Sequence, residues 1–561
     1  MRKLYKGLLI AGAILGLSSC NDFLDMTPTD RVSDKVIWET TQTAEYSLNY
    51  YFSFIYSVAV DQSKAGLTEA MTDQLKYGSY TYNSLAYIPS EIAYGDATTL
   101  SASYVDAYFG YWGSTYTSIR QVNQSISELK KYGQMSDEDK IRLEAELRFM
   151  RAYLYFDIVK RYKDVIIYDE DLSKITKDRA LDTESAAWDF IQADLEFAGA
   201  NLPDRTASRG RLDKGSAWAF LSRAMLYAKR WDVVKTAADE VQKLGYGLIA
   251  ATNGVSYTTA YQNSYMLSTA EGNNEAILQY NFDRSQGVTH DFDFYYAPGG
   301  DYSIHKASGG GYGTPTQEMV ESYEYANGGF PDWTPWHGTT TDTPPYSELE
   351  PRFQASILYN GASWKGRTIE SFVGGSDGWS QWNKEREPNG RTTTSYYLRK
   401  RVDEKHDVVS EKGSIQPVTV IRYAEVLLNK AEACYHLSDE AGANAAVKAI
   451  RGRVGLPHSD KAGDELWASI RQERKVELAY EGLWYWDLRR WGVAHKAYPE
   501  GLTGYQQHGL KIEKNDDGIF TYTYVSVDDK DRNFPEKMYR FPLPSSELNS
   551  NALVNQFQEW Q

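Results

Sequence analysis

The chain has 561 residues, 42% of them apolar and 24% charged, which supplies a sizeable core and excludes a mainly disordered chain. Its 76 acidic against 60 basic residues give a net charge of −16, which lacks the electrostatic footprint of a nucleic-acid binder. A mean hydropathy of −0.55 excludes a multi-pass membrane protein, and two cysteines make neither a disulfide framework nor a four-thiolate zinc site.

The first element is a targeting segment. Arg2, Lys3 and Lys6 precede an apolar run over 8–17 that is too short to span a bilayer. Leu17-Ser18-Ser19-Cys20 follows and resembles a bacterial lipobox. Residues 1–19 then read as a lipoprotein signal peptide, and Cys20 as the lipidated mature N-terminus. Residues 20–40 form a tether, and 41–561 a single domain.

Helical repeats come next, over about 105–250 and 415–495. Ala145, Arg148, Phe149, Arg151, Ala152 and Tyr155 recur with the same spacing as Ala217, Phe220, Leu221, Arg223, Ala224 and Tyr227. A third copy reads Ala424, Leu427, Leu428, Lys430, Ala431 and Cys434. Small residues seven apart lay an alanine seam on one helix face, where a second helix approaches closely. This predicts tetratricopeptide-like helix pairs separated by long insertions. Ser136-Asp137-Glu138-Asp139 starts a helix over 141–162, Asp182-Thr183-Glu184 one over 186–195, and Asp464-Glu465 one over 466–488. The Trp-Asp pairs at 188, 231 and 486 lie in Ala- and Leu-rich helical segments, which rules out a WD propeller.

The insertions, over about 70–100, 285–346 and 360–397, are aromatic. The chain has 44 Tyr and 15 Trp but only 19 Phe, a bias toward rings with a polar handle. Six of the 17 prolines and nine glycines fall within 295–346, including Gly309-Gly310-Gly311. That density breaks helices. Yet the window also holds Tyr295, Tyr296, Tyr302, Tyr312, Trp333 and Trp336, rings with no helical period to carry them into a core. Such loops on a helical scaffold predict a binding surface.

Catalytic chemistry finds no sequence signal. No carboxylate pair is singled out for glycosidase work. No histidines pair at helical spacing for a metal. The triple glycine lacks the strand and helix of a phosphate loop, and no serine sits on a nucleophile elbow. Asn515-Asp516-Asp517-Gly518 resembles a calcium turn without its closing Glu, and Asp283, Asp291 and Asp293 are loop carboxylates suited to a calcium. No cofactor and no catalytic residue is expected.

Several longer segments carry a resemblance. They are Ile421-Arg422-Tyr423-Ala424-Glu425 through Ala433, Arg471-Gln472-Glu473-Arg474-Lys475-Val476-Glu477 through Gly482, Trp486-Asp487-Leu488-Arg489-Arg490-Trp491, and the tail Phe541-Pro542-Leu543-Pro544. With the lipobox, they resemble the SusD/RagB family of outer-membrane nutrient-binding lipoproteins of Bacteroidetes. The resemblance implies a mainly α, tetratricopeptide-like scaffold with loop insertions forming a glycan surface. It also implies surface exposure on the outer membrane, an oligosaccharide ligand and a SusC-like TonB-dependent transporter as partner. By position it points to Tyr77, Tyr80, Tyr82, Tyr295, Tyr296, Trp333 and Trp336 as stacking residues, with Asp73, Gln74 and Arg367 as polar partners. The alternatives are a peptide-binding member of the same scaffold or a glycoside hydrolase. The charged motif residues, spaced three and four apart, are expected to pair with one another rather than with ligand.

Overall fold

The computed structural model describes residues 34–55, 68–77, 90–96, 100–205, 210–252, 254–307, 309–381, 391–411 and 413–561. Cys20, Tyr80 and Tyr82 lie outside them.

The repeats form as their caps and seams dictate. Helix α1 (Trp112–Tyr132) precedes α2 (Asp137–Tyr162), whose N-cap Ser136 accepts a hydrogen bond from the Asp139 amide and whose first turn carries three acids. Thr183 caps α3 (Glu184–Asn201) and Asp213 caps α4 (Lys214–Tyr227). Helix α5 (Trp231–Lys243) completes that pair and packs on α6 (Tyr423–His436). Helices α7 (Glu440–Arg453) and α8 (Gly463–Glu477) follow. All six seam alanines, at 145, 152, 217, 224, 424 and 431, are fully buried. Cys434, the last residue of the third copy, is sealed among Ala443, Val447, Leu466 and Ile470 of α7 and α8.

The helix expected over 466–488 is two helices. α8 stops at Glu477, and α9 (Trp484–Arg490) begins after a break. Tyr480 and Gly482 hold φ of 61° and 76° there, and the Gly482 amide turns to donate to the buried Glu69 carboxylate at 2.6 Å. A left-handed backbone cannot continue a right-handed helix.

Short strands tie the insertions to this scaffold. β1 (Leu75–Tyr77) pairs antiparallel with β3 (Gly313–Pro315), setting Tyr77 opposite Gly313. β2 (Ala276–Tyr280) pairs with β5 (Val418–Arg422), which runs straight into α6. β4 (Thr339–Thr340) edges the hairpin of β6 (His508–Lys514) and β7 (Phe520–Ser526). The Asn515–Gly518 sequence is the turn of that hairpin, closed by the Ile519 amide donating to the Asn515 side chain at 2.8 Å.

The insertions have their own core, which the sequence reading did not foresee. Tyr77, Phe292, Tyr296, Tyr302, Trp333, Trp364, Tyr396 and Tyr397 cluster in it with Val476, Ala479 and Tyr480. Between it and the helical core lies a buried ionic layer. Glu477 meets Arg422 at 2.7 Å and Arg352 at 3.3 Å, and also pairs with Arg453. Glu275 takes Arg422 at 2.7 Å, and Glu481 takes Arg422 and Lys400 at 2.7 Å each. Three guanidinium groups hold the Glu477 carboxyl well below the usual range, despite its complete burial. Glu425 with Arg223, Glu432 with Arg490 and Asp487 with Arg474 pair likewise. Apart from Arg489, the buried motif charges are paired internally, as expected.

Candidate functional site

Two outward-facing aromatics of the insertions, Phe294 and Tyr295, sit side by side on a one-turn helix, Phe292–Tyr296. Phe292 and Tyr296 turn inward and are 0% and 1% exposed. Phe294 turns outward at 45% exposure, with Tyr295 half-buried beside it. The triple glycine runs back along this turn. Gly310 donates to the Phe294 carbonyl at 3.2 Å, Gly311 to Ala297 at 3.0 Å and Tyr312 to Tyr295 at 2.9 Å. A Cβ on Gly310 would lie 2.0 Å from the Ala297 oxygen, at a φ of 71°. Only glycine lets the two segments lie flush.

The result is a shelf of rings. Tyr295 meets Tyr312 edge to face at 5.0 Å and Phe294 at 5.3 Å. Tyr302 pins it from beneath, its hydroxyl donating to the Phe294 carbonyl at 2.7 Å. Burial raises the phenols of Tyr295 and Tyr312, and Asp291 raises Tyr295 further, so both stay protonated donors at neutral pH. Asp291 is exposed at the start of the turn and offers an acceptor.

The expected site residues divide by burial. Tyr295 is on the shelf. Tyr77, Tyr296 and Trp333 are 3%, 1% and 5% exposed and belong to the insertion core, so they support a surface without presenting a face. Their loops lack helical period, yet three separated insertions pooled their rings into one interior. Trp336 is half-buried against Trp333 at 5.6 Å, with its indole N–H donated to the Asp342 carbonyl. It stands apart from the shelf, with no ring contact joining the two groups among the described residues.

The expected polar partners are engaged internally. Asp73 is buried and takes Lys475 at 2.7 Å and the Trp484 indole at 3.1 Å. Gln74 is buried and donates to the Lys475 carbonyl. Arg367 bridges Asp377 at 2.6 Å and Asp301 at 2.7 Å. Asp377 in turn accepts from the Gly300 amide at 2.8 Å, so Arg367 braces the segment that follows the shelf. Phe294 and Tyr312 were not among the expected binders. Their signal was the run Phe292-Asp293-Phe294-Tyr295-Tyr296 facing three glycines.

Of the loop carboxylates, Asp293 is buried, with His406 at 2.7 Å and Gln416 at 2.8 Å, and Asp283 caps its own turn through Ser285. Among the described residues no group of three or more metal-type side chains assembles.

Residues 274–560 match the model of the SusD family, and 22–226 match a model described as starch-binding associating with outer membrane. The chain belongs to the SusD/RagB family. It is 26% identical over 473 residues to SusD-like protein P2 of Formosa agariphila, covering 79% of each chain. A SusD-like protein of Bacteroides fragilis superposes with a TM-score of 0.77 at 26% identity, over 95% of this chain and all of the other. The surface glycan-binding protein A of Bacteroides thetaiotaomicron, solved with laminarihexaose, shares the SusD fold at a TM-score of 0.60 and 17% identity, over 87% of this chain and 92% of that one. The helical scaffold with loop insertions is thus the SusD architecture. No helix among the described residues is long and apolar enough to cross a membrane.

Proposed function

We propose that this SusD-family protein is a glycan-binding lipoprotein of the outer membrane, not an enzyme, and that it takes an oligosaccharide on the Tyr295 shelf. The shelf is the observation that carries the reading. Its rings offer flat apolar faces to the C–H patches of a sugar, and their phenols and Asp291 offer a donor-acceptor rim to its hydroxyls. A family model described as starch-binding and a SusD-fold neighbour solved with laminarihexaose support a saccharide ligand. The lipobox at Cys20 supports a lipid anchor. Delivery of the captured glycan to a SusC-like transporter completes the proposal.

Electrophoresis in gels cast with single polysaccharides tests it, using the chain from residue 21. We expect one polysaccharide to retard the protein. Tyr295→Ala and Tyr312→Ala should each weaken binding about tenfold, on the order of 1.4 kcal/mol per ring. Trp336→Ala should leave it unchanged. Retardation lost with Trp336 and kept without Tyr295 moves the site to the Trp336 group. No retardation by any polysaccharide, with affinity for peptides instead, refutes the reading.

A further inference from the structure

The helical scaffold holds a second pocket, well away from the shelf in the chain. About 620 Å³ opens where α2 and α4 end against α9, a volume in the range of small-ligand sites, about 300–1,000 Å³. Six cations line it, and Glu184 is its single carboxylate, in a protein whose net charge is −16. Three of the cations are held elsewhere: Lys160 by Asp157, Arg230 by Asp189 and Arg490 by Glu432 and Asp487. Lys163, Lys229 and Arg489 meet no carboxylate within ion-pair distance among the described residues.

Lys163 and Lys229 follow helix C-termini, where the helix dipole favours cations and accounts for their presence. Arg489 has no such account. It is 6% exposed, its guanidinium 4.2 Å from the Phe541 ring and 4.7 Å from Trp486. One nitrogen donates to the Tyr539 carbonyl at 3.2 Å, while Nε and Nη1 have no partner. Burial brings its pKa down to about 10. An interior cation with donors to spare is costly unless an anion completes it. The other buried arginines of the family motifs, Arg422 and Arg474, each meet a carboxylate; Arg489 lines a pocket whose single carboxylate, Glu184, does not pair with it.

We propose that this pocket binds a sugar bearing an oxyanion, a uronate or a sulfate ester, with Lys163 and Lys229 receiving the charge, the enclosed Arg489 guanidinium adding its uncompensated positive field from the wall, and the Trp486 and Tyr227 rings lining the sugar. The site is independent of the shelf: it neither needs nor blocks a glycan there.

Isothermal titration of the chain from residue 21 tests it, with glucuronate, galacturonate, glucose 6-sulfate, glucose and inorganic sulfate as separate titrants. We expect a uronate or the sulfate ester to bind at least tenfold tighter than glucose, and the tighter of the two identifies the oxyanion. Arg489→Met should weaken that binding at least tenfold. So should the double variant Lys163→Ala, Lys229→Ala, whose side chains lie outside the buried core and which decides the matter if Arg489→Met does not fold. Tyr295→Ala should leave it unchanged. No preference for the charged sugar, binding indifferent to the lysine variant, or inorganic sulfate binding as tightly as the sulfate ester (an adventitious ion only) each overturns the proposal. Binding lost with Tyr295 instead assigns the charged sugar to the shelf and overturns it too, while leaving the shelf reading intact.

Discussion

Glu69 shows how much one interior carboxylate weighs in this protein. It is fully buried, Oε1 accepts from Gly482 and Oε2 has no partner, so burial pushes its pKa up to about 7 from 4.5. A raised carboxyl binds its proton more tightly folded than unfolded. Its contribution to stability is therefore present below pH 4.5 and lost as the pH rises to about 7, a fall of about 3 kcal/mol. Glu481 runs the other way. Arg422 and Lys400 outweigh its burial and bring it down to about 2, so its contribution disappears as the pH falls from 4.5 to about 2. Urea midpoints measured from pH 2 to 8 should thus fall on both sides of an acidic maximum. Glu350, likewise raised to about 7 by burial, slopes the same way, so Glu69→Gln should remove about half of the neutral-side fall and leave the acid side unchanged; a neutral slope unaltered by the substitution refutes the assignment. Arg223→Ala presents the related case of a pair broken from one side. Glu425, met at 2.6 Å, would remain buried and charged, at a cost of about 3–5 kcal/mol. Adding Glu425→Gln should recover much of that in a denaturation cycle.

Among the elements, the glycine run under the shelf makes the sharpest demand. Gly310→Ala drives a methyl into the Ala297 carbonyl in a left-handed backbone, and we expect about 2–4 kcal/mol of destabilisation together with loss of saccharide binding. Gly361→Ala is the control. Its φ of 93° is equally left-handed, but open space surrounds it, so it should cost about 1 kcal/mol and spare binding. Equal losses at the two sites would mean that the flush packing at Gly310 is unimportant. The break between α8 and α9 teaches the same lesson about local signals. In the sequence of residues 466–488 only the lone Gly482 marks a stop, and an isolated glycine does not by itself end a helix. The break is fixed by partners far off in the chain: Gly482 by Glu69, and Glu481 by Arg422 and Lys400.

At the scale of the whole molecule, the helical core was readable because its signal is local: an alanine seam repeats within one helix, and every seam alanine is buried. The insertion core was not readable, because its rings come from segments hundreds of residues apart. Tyr77, Tyr296 and Trp333 look like binding aromatics in their own loops and become interior only once those loops meet. Tyr295 stays at the surface because its turn neighbours Phe292 and Tyr296 take the inward positions. The two cores meet across the Glu477 layer, and Glu477→Ala should therefore split the calorimetric melt into a loop transition and a later helical one; a single lowered peak would show that the layer does not couple them. Cys434 adds a clock to this architecture. Its thiol is fully enclosed, and its surroundings, burial foremost, raise its pKa to about 11, so an oxidising medium finds neither thiolate nor access. In a chain lacking Cys20, alkylation can then proceed only when the last helix pair opens. The rate of labelling by a small maleimide reads that opening directly, without an added probe.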